Sequence, residues 1–439
     1  MRDIVFLCCM VATLPWAFAH AYIGSLLWTW TALLTPSTYL YSFMGGVPLN
    51  KLAAGITVLA LLLNRQGAVI RLGSTAYMLI GLVLLGGVSM MSGGVVPDAG
   101  WEIYDRLVKT VLLFLVLTAL INTRLRLHML LLIIALSIGY NGLNEGLKVI
   151  VSGGAYKPEV PLLGDNNHFA GAILMVIPVI GYLYRYSEEK CVKLALFGTL
   201  LLCTVSVIGT YSRGGFIGLL VITFSYIMTT RRKIANLVAL AALAGLLLLI
   251  TPDSWFERMN TIQDAGEDSS FMGRVVAWKI STLIALDHPL AGGGFRAVQT
   301  GYFWHMYSQK FHLLDFIPTP EPLSRAMAAH SIFFEVLGDL GFTGLFLFVG
   351  VIVTVVRSLS RVRGLTRGQP ELAWAFHLAG ALRLSVLVYT VTGAALSLAY
   401  FEFFYVLCAA AASLRCIVEG QPVTARSPGK PLAAAPART

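Results

Sequence analysis

Four short stretches of this 439-residue chain carry polar side chains at the edges of apolar sequence. They are Gly164-Asp165-Asn166-Asn167-His168, Thr210-Tyr211-Ser212-Arg213-Gly214-Gly215, Gly273-Arg274 with Trp278, and Ala329-His330-Ser331. Arg213 has no acidic neighbour in sequence and is followed by glycines, which let another group approach the backbone closely. An ionisable residue at membrane depth points to function by default. The competing reading is an arginine snorkelling to lipid head groups. Arg274 and Trp278 are four residues apart and share a helix face. His330 stands where polar sequence gives way to apolar sequence, either as a satisfied structural residue or as a proton carrier.

These types suit one kind of chemistry. Arginine is always charged, planar and able to hold two oxygens at once, so Arg213 and Arg274 fit a diphosphate. A histidine such as His330 can take a proton from an attacking hydroxyl near neutral pH. No outward acidic pair is spaced to hold a divalent metal, so no metal and no cofactor are expected, and arginines must neutralise the leaving group. The reaction this describes is transfer of a glycan from a lipid diphosphate to an acceptor hydroxyl. Arg296, Lys109, His168 and Trp278 are further candidates for binding substrate. Asp165 and its neighbours read either as a helix N-cap or as the lining of a polar cavity. Gly292-Gly293-Gly294 reads as a mobile loop, but matches neither dinucleotide nor P-loop spacing. Glu335 and Asp339 lie five and nine residues beyond His330, separations that do not share a helix face with it.

The elements that must position these residues are membrane helices. Hydrophobic residues make up 57% of the chain and charged residues 12%, against about 25% charged in soluble domains. The fold class expected is an all-α polytopic membrane protein. Six cysteines lie in or beside apolar runs and form no CxxC pair, so neither a redox nor a zinc site is indicated. Basic residues sort into alternate loops: Arg65 and Arg71; Arg124 and Arg126; Arg185, Lys190 and Lys193; Arg231 to Lys233; Arg357 to Arg367. By the positive-inside rule these loops are cytoplasmic. The net charge of +10 therefore reflects orientation, and nucleic acid is excluded as a partner. Met1-Arg2-Asp3 and the apolar run after it resemble a secretory signal, but apolar sequence continues at once, and no cleavage is expected. Both termini read as cytoplasmic, and residues 4–34 read as one broken span or a hairpin. About twelve transmembrane helices are expected.

Residues 251–344 form the single long polar excursion, opening after the apolar run 237–250. The division expected is an N-terminal transmembrane bundle (1–250), an outward insert containing helices and acting as a lid (251–329), C-terminal transmembrane helices (330–419) and a disordered cytoplasmic tail (420–439). Residues 271–286 are amphipathic enough to lie on the membrane surface.

In order and spacing the motifs resemble the O-antigen ligase and polymerase superfamily. The residues that carry this are Thr210 to Gly215, Gly273-Arg274 with Trp278, His288 to Gly294, and Ala329-His330-Ser331 with Glu335, Gly338, Gly341 and Gly344. Met1-Arg2-Asp3, Gly24 to Trp28 and Asp165 to Ala170 resemble the branch of exosortase-associated O-glycosylation ligases. The resemblance implies a metal-independent, inverting glycosyltransferase of the GT-C type in the bacterial inner membrane. Its donor is a glycan on undecaprenyl diphosphate, its acceptor is lipid A–core, and its active site is periplasmic. The family's essential arginines correspond to Arg213 and Arg274, and its essential histidine to His330. Ligases commonly have asparagine where this chain has Ser331. An O-antigen polymerase, a protein O-oligosaccharyltransferase and, more remotely, a transporter are the alternatives; Arg383, inside a span, is the residue a transporter explains best.

Overall fold

The computed structural model describes residues 2–40, 43–63, 72–92, 98–160, 164–229 and 269–420. The apolar run 237–250, the first part of the insert (251–268) and the tail 421–439 lie outside the described residues. The chain forms α1 (Arg2–Ala19), α2 (Ala21–Leu34), α3 (Leu49–Leu63), α4 (Ser74–Ser92), α5 (Asp98–Leu120), α6 (Arg124–Val151) and α7 (Asn166–Tyr186). It continues through α8 (Lys190–Gly209), α9 (Arg213–Thr229), α10 (Ser269–Asp287), α11 (Gly301–Ser308), α12 (Ile332–Thr366), α13 (Ala373–Gly393) and α14 (Glu402–Glu419). Among the described residues there is no strand. Six of these helical segments are long and apolar enough to cross a membrane; α1, α2, α3 and α9 are apolar but shorter.

A helix surrounded by other helices needs no polar face, and α7 is such a helix. Phe169, Ala170, Ile173, Leu174, Val176 and Ile180 are all fully buried, and α7 packs against α6, α8, α9 and α13. Its first turn therefore projects from the centre of the bundle. Residues 4–34 form a hairpin broken at His20, with Phe6 stacked on Trp30 at 5.5 Å between ring centroids.

Of the basic clusters, those at Arg124 and Arg126, Arg185 and Arg363 are described, and they gather at one end of the bundle; Arg65, Arg71 and Arg231 to Lys233 lie outside the described residues. Arg124 lies 5.0 Å over the Trp374 ring and Arg126 lies 4.5 Å over the Tyr22 ring. Arg185 and Arg363 both bear on His377. The start of α1 is at the other end, where Met44 N–H donates to the Asp3 carboxylate at 3.2 Å. Glu419, at the end of α14, pairs with Arg361 in the last turns of α12. The two described ends of the chain thus lie at opposite ends of the bundle, which differs from the expectation that both termini share the basic side. The hairpin turn at His20 is what returns the chain.

The described part of the insert has its own apolar core. Val276, Ala277, Ile280 and Ile284 of α10 pack with Val298, Phe303, Trp304, Tyr307 and Ala329. So α10 does not expose an apolar face for a membrane surface, as its sequence suggests; it turns that face inward and packs along α12. The amphipathic pattern is the same in both cases, and only the partner differs.

The triple glycine is likewise a packing device, not an open loop. Gly292, Gly293 and Gly294 are buried. Gly293 N–H donates to Gly338 O and Gly294 N–H to Asp339 O, each at 3.0 Å. Opposite them, α12 breaks at Gly341 (φ 67°, ψ −167°), and Phe342 N–H bonds Pro289 O at 2.9 Å. A Cβ on Gly292 would stand 2.5 Å from the Asp339 carbonyl, on backbone already at φ +67°. Gly292→Ala should therefore destabilise the fold by about 2–4 kcal/mol, since a left-handed conformation and a backbone clash add. Thermal unfolding of the purified protein in detergent checks this: a clear fall in midpoint is expected, and an unchanged midpoint would show the seam to be loose.

Candidate active site

Three elements end at one point. The first is the N-terminus of α7. Asp165 caps it, accepting from Asn167 N–H and His168 N–H at 2.8 Å each, and from His168 Nδ1 at 2.7 Å. Burial opposes the charged carboxylate, but the bonds and charge of His168 outweigh it and hold Asp165 well below the usual carboxylate range. The sequence left a capping and a cavity-lining role as alternatives for this stretch. Asp165 caps, Asn166 ties and His168 lines.

The second element is the turn before α9. Asn166 Nδ2–H bonds Thr210 O at 2.7 Å, fastening this turn to the start of α7. Tyr211 sits at φ +55° and bonds Gly154 O at 3.0 Å through its hydroxyl. Ser212 Oγ accepts from Gly215 N–H at 3.0 Å, and Arg213 is the first residue of α9. A Cβ on Gly215 would stand 3.1 Å from Ala170 Cβ, so Gly215 is what lets the two helix starts approach. Arg213 therefore emerges beside the α7 turn that carries His168.

The third element is the re-entry of the chain into α12. Trp278 Nε1–H donates to Ala329 O at 2.7 Å, and its ring stacks on Phe334 at 5.0 Å and 7°. His330 N–H donates to Ser397 Oγ at 3.0 Å. Gripped on both sides, His330 is held at φ +44°, a left-handed conformation that costs a non-glycine residue free energy. Its ring lies 6.1 Å from that of His168. Burial pushes its pKa down to about 4, helped by the positive charges of Arg274 and His168 and opposed by Asp165. Arg274, one turn before Trp278 on α10, is thus close to His330. The neutral imidazole is the form that accepts a proton.

Beside His168 and Ser397 opens a cavity of about 700 Å³. Glu102, Arg106, Lys109, Arg296 and Glu335 are among its lining residues. Lys109 pairs with Asp105, and Arg106 with Glu402 at 3.4 Å. Of the four substrate-binding candidates in the sequence, Lys109, His168 and Arg296 line this cavity. Trp278 does not; its indole is committed to Ala329 and Phe334.

Sequence reasoning named Glu335 and Asp339 but missed that they brace the site. Glu335 and Asp339 are buried on one face of α12. Glu335 accepts from Ala399 N–H at 3.1 Å, and Asp339 accepts from Tyr400 O–H at 3.2 Å and Ala297 N–H at 3.1 Å. They hold the 397–400 segment that in turn supplies Ser397 to His330. The available signal was two acids four residues apart on an otherwise apolar helix. Among the described residues no three His, Cys, Asp or Glu side chains gather as a metal-binding set.

Compared with known families, residues 198–349 match the model described as O-antigen ligase. That stretch contains Arg213, Arg274, Trp278, Arg296 and His330. Residues 1–188 match a family of unknown function, which takes in Lys109 and His168. No curated protein matches the chain.

Proposed function

We propose, for a chain that residues 198–349 join to the O-antigen ligase superfamily, that it is a ligase working at the periplasmic face of the inner membrane. It transfers a glycan from undecaprenyl diphosphate to a sugar hydroxyl of lipid A–core. The carrying observation is His330, whose ring lies 6.1 Å from that of His168, a lining residue of the cavity, with Arg274 near enough to bear on its charge. His330 takes the proton of the acceptor hydroxyl, or orients that hydroxyl. The freed oxygen forms the new bond to the anomeric carbon as the bond from that carbon to the diphosphate breaks. The electron pair leaves on the diphosphate, whose growing charge Arg274 and Arg213 stabilise. No metal is required in this scheme. The cavity beside His168, with charged and polar side chains around it, accommodates sugar rings.

Deletion of the gene tests this. The proposal expects lipid A–core to lose its long glycan while the undecaprenyl-linked polymer accumulates. Shortened chains on the carrier would instead identify a polymerase. Loss of glycan from a secreted protein or pilin would identify a protein glycosyltransferase.

A further inference from the structure

Arg383 takes no part in the chemistry above, and its surroundings ask for a different partner. α12 and α13 run antiparallel: Ile332 packs at Gly393, and Arg363 lies 4.6 Å over the Phe376 ring. This pairing brings Arg363 within electrostatic reach of Arg367, one turn on at the end of α12, and of Arg383 on α13. Arg363 and Arg185 also bear on His377, whose Nδ1 lies 2.7 Å from the Tyr186 hydroxyl. Glu419, at the end of α14, is taken by Arg361 and Arg415 at 2.9 and 3.0 Å, and Glu371, between α12 and α13, makes no ion pair among the described residues. Among the described residues no carboxylate pairs with Arg363, Arg367 or Arg383, and Arg363 Nε is buried without a hydrogen-bond partner.

Like charges drawn together with no internal counter-charge destabilise a fold, and a guanidinium with an unsatisfied N–H adds to that cost. Arg383 is exposed and lies inside the apolar segment Pro370–Gly393. It stands ten residues into α13, about 15 Å along the helix. One turn further, Leu387 is 45% exposed. A lipid lying along this face sets its chains beside Leu387 and its phosphate toward Arg363 and Arg367 at the end of α12, and Arg383 snorkels toward that phosphate. Basic pockets between membrane helices recognise such head groups.

We propose that Arg363, Arg367 and Arg383 form a binding site for the phosphodiester head group of an anionic phospholipid. The site is separate from the transfer centre. From Phe342 to Arg363 alone, α12 extends about 30 Å away from His330. Its occupant is a resident bilayer lipid and not a substrate, so the proposal stands or falls independently of the transfer reaction.

The test is native mass spectrometry of the full chain purified in mild detergent, with Arg363→Gln, Arg383→Gln and Arg383→Glu alongside. Wild type should carry phosphatidylglycerol or cardiolipin in preference to phosphatidylethanolamine. Each glutamine variant should retain about fivefold less, the loss expected for one basic contact. Arg383→Glu supplies its own counter-charge to Arg363, so it should purify at wild-type yield with no retained anionic lipid. Added phosphatidylglycerol should raise the unfolding temperature of wild type but not of Arg383→Glu. Wild type without anionic lipid, equal retention of phosphatidylethanolamine, or unchanged retention in Arg383→Glu overturns the proposal. An equal rise in unfolding temperature with inorganic phosphate overturns the lipid as the source of the anion.

Discussion

Arg274→Lys is expected to lower the turnover of glycan transfer about 10²–10³-fold, the usual cost of removing one donor aimed at developing charge. The protein should still insert and purify as wild type does. Arg274 is half-buried on α10, one turn before Trp278. Trp278 is tied to Ala329, so the helix that carries the guanidinium is fixed directly against His330. Lysine keeps the charge but loses the planar fork that holds two phosphate oxygens. If the fork matters only as the diphosphate leaves, turnover falls while the acceptor KM stays near its wild-type value. Arg213→Lys should behave in the same way from the α9 side. Initial rates in proteoliposomes, with donor and acceptor extracted from the same cells, give the comparison. Wild-type turnover in either variant would remove that arginine from the leaving-group role.

His330→Ala is expected to cost about 10²–10⁴ in turnover, the range for loss of a positioned general base. Its pH dependence carries more information. With a pKa near 4, His330 is neutral and competent from pH 8 down to about pH 5. Protonation removes its acceptor lone pair, so the rate should hold steady across that range and fall as pH drops through about 4. An ordinary histidine would lose its competence around 6.5 instead. A wild-type rate that declines through 6.5 would show that His330 is not buried beside Arg274 in the working enzyme. Both effects depend on backbone held at φ +44° by Ser397. That strain is affordable only because the segment bearing Ser397 is itself fixed by Glu335 and Asp339.

Much of the proposed site was legible from residue types alone. Arginine beside glycine, arginine near tryptophan on one helix face, and histidine at a polar–apolar boundary each say what they can do before their partners are known. The N-cap at Asp165 was legible because capping is local: donor and acceptor lie within three residues. The gathering of the described basic clusters at one end was legible for the same reason, since each cluster reports its own side. The brace around His330 was not. Ser397 is 67 residues from His330, and Ala399 is 64 residues from Glu335. Nothing local distinguishes a serine that holds a backbone N–H from one that caps or faces lipid. The triple glycine misled for a related reason. A glycine run allows either freedom or close approach, and only Asp339 and Gly341 across the seam decide for close approach. α10 was misread because an apolar stripe specifies a partner of low polarity without saying whether that partner is lipid or protein.

The most direct test of the transfer centre is a single assay with purified protein. Transfer of glycan from undecaprenyl diphosphate to lipid A–core is measured in the presence of EDTA for wild type, Arg274→Lys and His330→Ala. The account predicts that wild type keeps its activity without metal while both variants lose nearly all of it and still bind lipid A–core. Undiminished transfer by either variant, or wild-type activity that disappears with the chelator, would contradict it.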